Sequence, residues 1–237
     1  VSSPQLSVPV MNVVSDNSVV NDYIGRYRVI MNVQSEERRY HHGDLRTALL
    51  DAAERSVRDH GAAQLSLRDL AREVGVSHAA PRRHFADRQM LLDALAEAGF
   101  ARLGESIRRS LAEEGEEFAA RTRSAVSAFA HFATENSALL ELMNSAKHQG
   151  ASSTARAGQA AFEPIVELIR EGQAQNVLEA GEPEELGLIL YATVNGITML
   201  VNTEMVPAER LDELTDTAVA QFLRGAAGET RALGLNA

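Results

Sequence analysis

Between residues 77 and 85 the chain carries side chains whose types and spacing suit recognition of a double-stranded polyanion. On a helix, Ala80, Pro81, His84 and Phe85 fall on one stripe and His78, Ala79, Arg82 and Arg83 on the other. The first stripe is suited to packing and the second to facing outward. Arginine and histidine beside small alanines fit a major groove, where guanidinium groups reach guanine edges or phosphates and Ala methyls touch thymine methyls. Ser66 and Ser77 stand where helix N-caps belong, and the free amides that follow such caps bind phosphates.

The elements that must position these residues are legible as apolar periodicity. Leu45, Ala48, Leu49, Ala52, Ala53 and Val57 form one helical stripe ending at Gly61. Ser66 to Asp69 has capping-box spacing, and a short helix runs from there to Val74, ended by Gly75. A further helix is expected from Ser77 to Phe85, and Asp87 caps a longer one through Leu91, Leu92, Leu95, Ala98 and Leu103. Two short helices joined across Gly75-Val76-Ser77, with small Ala71 where they cross, have the pattern of a helix-turn-helix. On pattern alone an ordinary helical hairpin is an equal alternative. Arg88 opens the next helix and is a further candidate for DNA contact, as are Arg39, Tyr40 and His41 in the lead-in.

Beyond Glu113 helical spacing continues through Phe118 to Ala133, Ser137 to Lys147, Phe162 to Gln173, Pro183 to Val201 and Pro207 to Arg224, with the two prolines in first turns. Gly150 to Gly158 reads as a mobile loop. The fold class is all-α, divided into a flexible extension at 1–35, a DNA-binding head at 36–86 and a helical body at 87–237. The extension shows no basic region followed by an unbroken apolar run, and Leu186 to Val201 reads as a buried helix shorter than a membrane span.

In the body, Phe100, Phe129, Phe132, Met143, Tyr191 and Met199 are candidates to line an apolar ligand cavity, with His131, Asn195 and Thr198 as orienting polar groups. Plain core packing is the alternative for each. Leu186, Ile189, Leu190, Ile197, Leu200 and Val201 make one long apolar face, and Leu214 and Phe222 belong to a second. Together they suit a four-helix homodimer interface. His131 with Glu135 and Glu141 is the nearest approach to an acid-base group, and its helical spacing equally suits a solvated face, so no catalysis is expected. No cofactor or metal site is expected either: cysteine is absent, and the adjacent His41 and His42 point apart with no third ligand near.

The absence of cysteine fits a reducing, cytoplasmic setting. Net charge is −10, yet it is unevenly spread. Residues 36–92 hold 10 Arg against 9 Asp plus Glu, whereas the remainder holds 13 Lys plus Arg against 24 acids. The acidic load lies away from the head, as a local DNA-binding face on an acidic body requires.

At Leu67-Arg68-Asp69-Leu70-Ala71, Gly75-Val76-Ser77, His84-Phe85 and Leu91-Leu92 the sequence resembles the TetR family of bacterial regulators. Within it the chain is most similar to the group with a Tyr-His-His-Gly-Asp-Leu-Arg opening, here Tyr40 to Arg46, and a Ser-His-Ala-Ala-Pro turn, here Ser77 to Pro81. That group usually has tyrosine where this chain has Arg82. In the body, Tyr191 to Gly196 resembles a Trp-x-x-x-His-Gly signature with both large positions changed. The resemblance implies about nine helices, three of them in the head. It also implies a ligand-responsive repressor: a homodimer that binds a near-palindromic double-stranded operator and releases or changes its grip with a small-molecule effector. The alternative is a helical dimer that binds a small molecule or partner protein without sequence-specific DNA binding.

Overall fold

The computed structural model describes residues 45–113, 115, 117–148 and 152–226. Eight α-helices are found among them: α1 (Leu45–His60), α2 (Leu67–Glu73), α3 (Arg88–Glu113), α4 (Phe118–Glu135), α5 (Ser137–His148), α6 (Ser152–Ala174), α7 (Pro183–Asn202) and α8 (Leu211–Gly225). Three single 3-10 turns, Ala62–Gln64, Pro81–Arg83 and Ala208–Arg210, complete the described elements, and no strand is present among them. The fold is all-α.

The head forms because the predicted stripes bury themselves. Leu49, Ala52, Ala53 and Val57 of α1 are buried, as are Leu65, Leu70, Ala71 and Phe85 in the segments that follow. Ser66 caps α2 by accepting from the Asp69 amide at 3.4 Å. The reciprocal half of the expected capping box is replaced, since the Asp69 carboxylate pairs with Arg72 at 3.0 Å. Helix α2 ends in a Schellman motif: Val76 N–H donates to Ala71 O at 2.9 Å and Gly75 N–H to Arg72 O at 3.2 Å. Gly75 sits at φ 75°, a conformation that penalises any residue with a Cβ. Asp87 caps α3 through the Met90 amide at 2.9 Å, as its position predicts.

The body is built around α3, which packs against α4, α5 and α6, while α7 and α8 pack on each other and on α4. Helix α6 begins at Ser152, ten residues before the sequence pattern places it, so 152–158 is helix and not the expected loop. Small residues here and just beyond permit close helix packing at two points. A Cβ at Gly104 of α3 would lie 3.0 Å from the Ala161 backbone of α6, and one at Gly158 would lie 3.4 Å from the Phe100 ring. Helix α7 is 20 residues long with mean hydropathy 1.2, long and apolar enough to cross a membrane by length and composition, longer than the sequence reading allows. It packs against α4, α6 and α8, and 22% of that apolar window is buried.

Candidate nucleic-acid interface and ligand cavity

The segment after Gly75 departs from the helix predicted for 77–85. It is a turn followed by a 3-10 turn at Pro81–Arg83, with Ala80 N–H donating to Ser77 O at 2.9 Å and His84 N–H to Pro81 O at 3.0 Å. The physical reason is Pro81. Having no N–H, it cannot donate to Ser77 O as the fifth residue of an α-helix would, so that carbonyl takes the nearer Ala80 amide. Ser77 therefore does not cap an α-helix. Pro81 and Phe85 are buried and anchor the segment, and the Arg46 guanidinium lies 5.3 Å from the Phe85 ring centroid.

His78, Ala79, Arg82 and Arg83 are all exposed, and so is His84, which the stripe assigns to the packed side. Most arginines around them are already engaged. Arg55 pairs with Glu73 at 2.8 Å, Arg72 with Asp69 and Arg102 with Glu54 at 2.8 Å. Arg88 donates from Nε to Leu65 O at 3.0 Å and from Nη2 to Ala62 O. Its guanidinium is thereby a clamp between α3 and the first 3-10 turn. Arg82 and Arg83 have no ion-pair partner among the described residues, and the same holds for Arg68 in the first turn of α2. Sequence reasoning missed Arg68 as a candidate contact, although its place just after the Ser66 cap is a usable signal. Arg39, Tyr40 and His41 lie outside the described residues.

In the body a cavity of about 520 Å³ opens among α3, α4, α5, α6 and α7. Of the residues expected there, Phe100, Phe129 and Tyr191 line it. The other six do not. Met143 is wholly buried beside Gly99, Phe132 is core, and Thr198 is buried with its hydroxyl donating to Asn195 O at 3.0 Å. Met199 is 57% exposed, and Asn195 lies off the cavity wall. His131 joins α4 to α8 through Asp212 at 2.9 Å, which also separates it from the Glu135 and Glu141 pairing considered above. Sequence reasoning missed Gln159, Phe162, Glu163 and Val166 on α6, and Glu184, Gly187 and Leu188 on α7. Each set has the i, i+3, i+4 spacing of one helix face, so the signal was present without a way to know which faces converge.

Tyr191 donates to Asn144 Oδ1 at 3.3 Å, and burial pushes its ionisation above the ordinary 10.0. Glu163 and Glu184 both bind Arg170, at 2.9 Å and 2.7 Å. The Glu163 hydrogen bond, with the Glu184 charge adding to it, raises the guanidinium pKa.

Of the proposed interface residues, Leu190 and Val201 are buried in their own chain, and Leu186 and Phe222 pack on the cluster of Phe118, Leu168, Ile169 and Leu178. What α7 leaves uncovered is different: Leu188, Ile189 and Met199 are 64%, 59% and 57% exposed. Ala192 and Gly196 complete that face, and nothing lies within 4 Å of a Cβ placed on Gly196.

A head in which α2, the Gly75 turn and the 3-10 segment Pro81–Arg83 present unpaired arginines, joined by a long helix to an all-helical body, has the layout of a DNA-binding transcriptional regulator. Residues 49–95 match the family model described as bacterial regulatory proteins, tetR family, and the chain belongs to that family. A solved protein of unknown function from Rhodococcus sp. RHA1 is 41% identical over 80% of this chain and 98% of its own, with TM-score 0.75. A tetR family transcription regulator from Shewanella sp. PV-4 shares the fold at 21% identity and TM-score 0.62, over 77% of this chain and 98% of its own. So does the transcriptional regulator FadR from Bacillus subtilis in complex with stearoyl-CoA, at 12% identity and TM-score 0.63, over 76% of this chain and 98% of its own. Curated protein sequences provide no match.

Proposed function

We propose that the chain is a ligand-responsive repressor that binds a near-palindromic operator as a homodimer. The observation that carries this reading is the pair Arg82 and Arg83, exposed and without ion-pair partners on the segment after the Gly75 turn. Two such heads, one per protomer, read two half-sites, and Arg68 holds the phosphate backbone. The uncovered face Ile189, Ala192, Gly196 and Met199 of α7 supports dimerisation, with small Gly196 permitting close approach of the partner helix.

The body's cavity holds the effector. Helix α3 connects the two activities, since it starts at the Arg88 clamp on the head and supplies Phe100 to the cavity wall twelve residues later, roughly 18 Å along the helix. An effector that favours one position of α3 shifts the population of head spacings and so the affinity for the operator.

The test is a salt titration of binding to DNA flanking the gene and to a scrambled duplex, for wild type, Arg82→Ala and Arg83→Ala. A phosphate-neutralising Arg82 gives weaker binding to both duplexes and a salt slope reduced by about one counterion. A base-reading Arg83 costs roughly 1–3 kcal/mol on the operator and little on the scrambled duplex. Unchanged binding in both variants overturns the recognition segment. Sedimentation of Ile189→Asp checks the dimer face, because a buried unpaired carboxylate costs several kcal/mol and should give monomer.

A further inference from the structure

Three rings form one continuous part of the cavity wall. Phe129 lies 5.8 Å from Phe162 and 5.5 Å from Tyr191, and Phe162 meets Tyr191 edge-on at 5.2 Å. Such rings present electron-rich faces that attract cations. The polar groups are biased the same way. With its proton given to Asn144, the Tyr191 hydroxyl has only lone pairs left to offer, and it stays neutral because burial opposes its ionisation.

The charged part of the lining is Glu163 and Glu184. Both carboxylates share the single guanidinium of Arg170, which is not itself part of the lining, so the group leaves one net negative charge at this edge. No Lys, Arg or His lines the cavity among the described residues. A lipophilic anion would have to set its charge beside these carboxylates, and the one cation at that edge, Arg170, is already bound to both. The stearoyl-CoA complex of the Bacillus subtilis neighbour is therefore a poor guide to this wall.

We propose that the effector is a lipophilic cation, an aromatic or bulky apolar body bearing an ammonium-type charge, with its body against Phe129, Phe162 and Tyr191 and its charge toward Glu163 and Glu184. This rests on the reading of the cavity as the effector site. At about 520 Å³ the cavity suits a drug-sized molecule.

Tetraphenylphosphonium and tetraphenylborate have the same size and shape and opposite charge, so calorimetric titration of the full chain with each isolates the sign. The phosphonium is expected to bind at least tenfold more tightly. In the double variant Glu163→Gln with Glu184→Gln, Arg170 is left unpaired and the edge changes from net negative to net positive. Phosphonium affinity should then fall tenfold or more and the preference should narrow or reverse. Gly187→Phe and Val166→Trp each fill the cavity, and either one, confirmed folded by circular dichroism, should abolish probe binding. A borate that binds wild type as well as the phosphonium, and is lost on filling, overturns the cationic class and leaves the cavity as the site. A phosphonium that fails at millimolar concentration, while neutral triphenylphosphine oxide binds and is lost on filling, has the same meaning. Probe binding that survives both filling variants overturns the class and the site together.

Discussion

Replacing Arg88 by alanine separates a structural arginine from a DNA-contacting one. The guanidinium holds two carbonyls, Leu65 O at 3.0 Å and Ala62 O, and joins the start of α3 to the turn between α1 and α2. The two acceptors are not equal. Ala62 O keeps a second donor, the Leu65 amide at 3.3 Å, whereas Leu65 is 3% exposed and its carbonyl loses a charged donor at a buried position. Hydrogen bonds to charged groups contribute about 1.5–3 kcal/mol, and an orphaned buried acceptor costs a further share of its desolvation. Counting Leu65 O in full and Ala62 O in small part gives a loss of about 2–4 kcal/mol. Total stability is of order 5–15 kcal/mol, and a chain of this size loses roughly 2–4 °C in Tm per kcal/mol. Thermal denaturation of Arg88→Ala should therefore show a fall of roughly 5–15 °C, and Arg88→Lys, whose single ammonium cannot span both carbonyls, should recover only part of it. The salt slope of DNA binding, measured well below Tm, should match wild type. An unchanged Tm with a slope reduced by about one would refute the clamp and return Arg88 to the phosphate backbone.

Gly75→Ala places a Cβ at φ 75°, where nothing lies within 4 Å, so about 1 kcal/mol of pure backbone strain should appear in urea denaturation, and Gly75→Asn should lose less. Gly172→Ala brings a Cβ to 2.5 Å from the Phe118 ring, and overpacking should cost about 1–3 kcal/mol, partly relieved by Phe118→Leu in the same chain. Tyr191 has a folded-state pKa raised above 10.0 by burial, so the folded chain holds this proton more tightly than the unfolded one. The stability it contributes is complete below pH 10 and is lost as pH rises through the folded value; denaturation midpoints of wild type and Tyr191→Phe, compared at neutral and strongly alkaline pH, should show a difference that shrinks or changes sign in alkali.

Local signals read well wherever one stripe and one cap decide the outcome. Leu49, Ala52, Ala53 and Val57 are all buried as their spacing requires, and Ser66, Gly75 and Asp87 take the capping and turn roles their types suggest. The failures have named causes. At 77–85 the helical stripe is correct in exposing His78, Arg82 and Arg83, yet the missing amide of Pro81 shortens the element to a 3-10 turn. At 152–158 residues that look like a loop are helix, and Gly158 among them is small where it meets the Phe100 ring across the helix pair. Helix α7 is apolar on several faces, so periodicity alone cannot choose between them. Leu190 and Val201 go to the chain's own core and Ile189 and Met199 to the surface.

Arginine pairing is the property that sequence could not supply and on which the location of the DNA face depends. A head with net charge near zero, within a chain of net charge −10, has no broad basic surface to draw DNA in by its field. The same number of arginines could serve folding alone. Carboxylates or carbonyls engage Arg55, Arg58, Arg72 and Arg88, and Arg46 stacks on Phe85. That leaves Arg68, Arg82 and Arg83 as solvated guanidinium groups without described ion pairs, two of them on the segment that Pro81 and Phe85 anchor from beneath. The buried pair fixes the direction of the exposed pair, and an engaged guanidinium would have to break its bond before meeting a phosphate. On the proposed reading, binding through so few free cations on each head makes dimerisation part of affinity as well as of symmetry, because two weakly held half-sites bind tightly only when one body links them. On that reading, the uncovered α7 face and the exposed arginines serve one requirement.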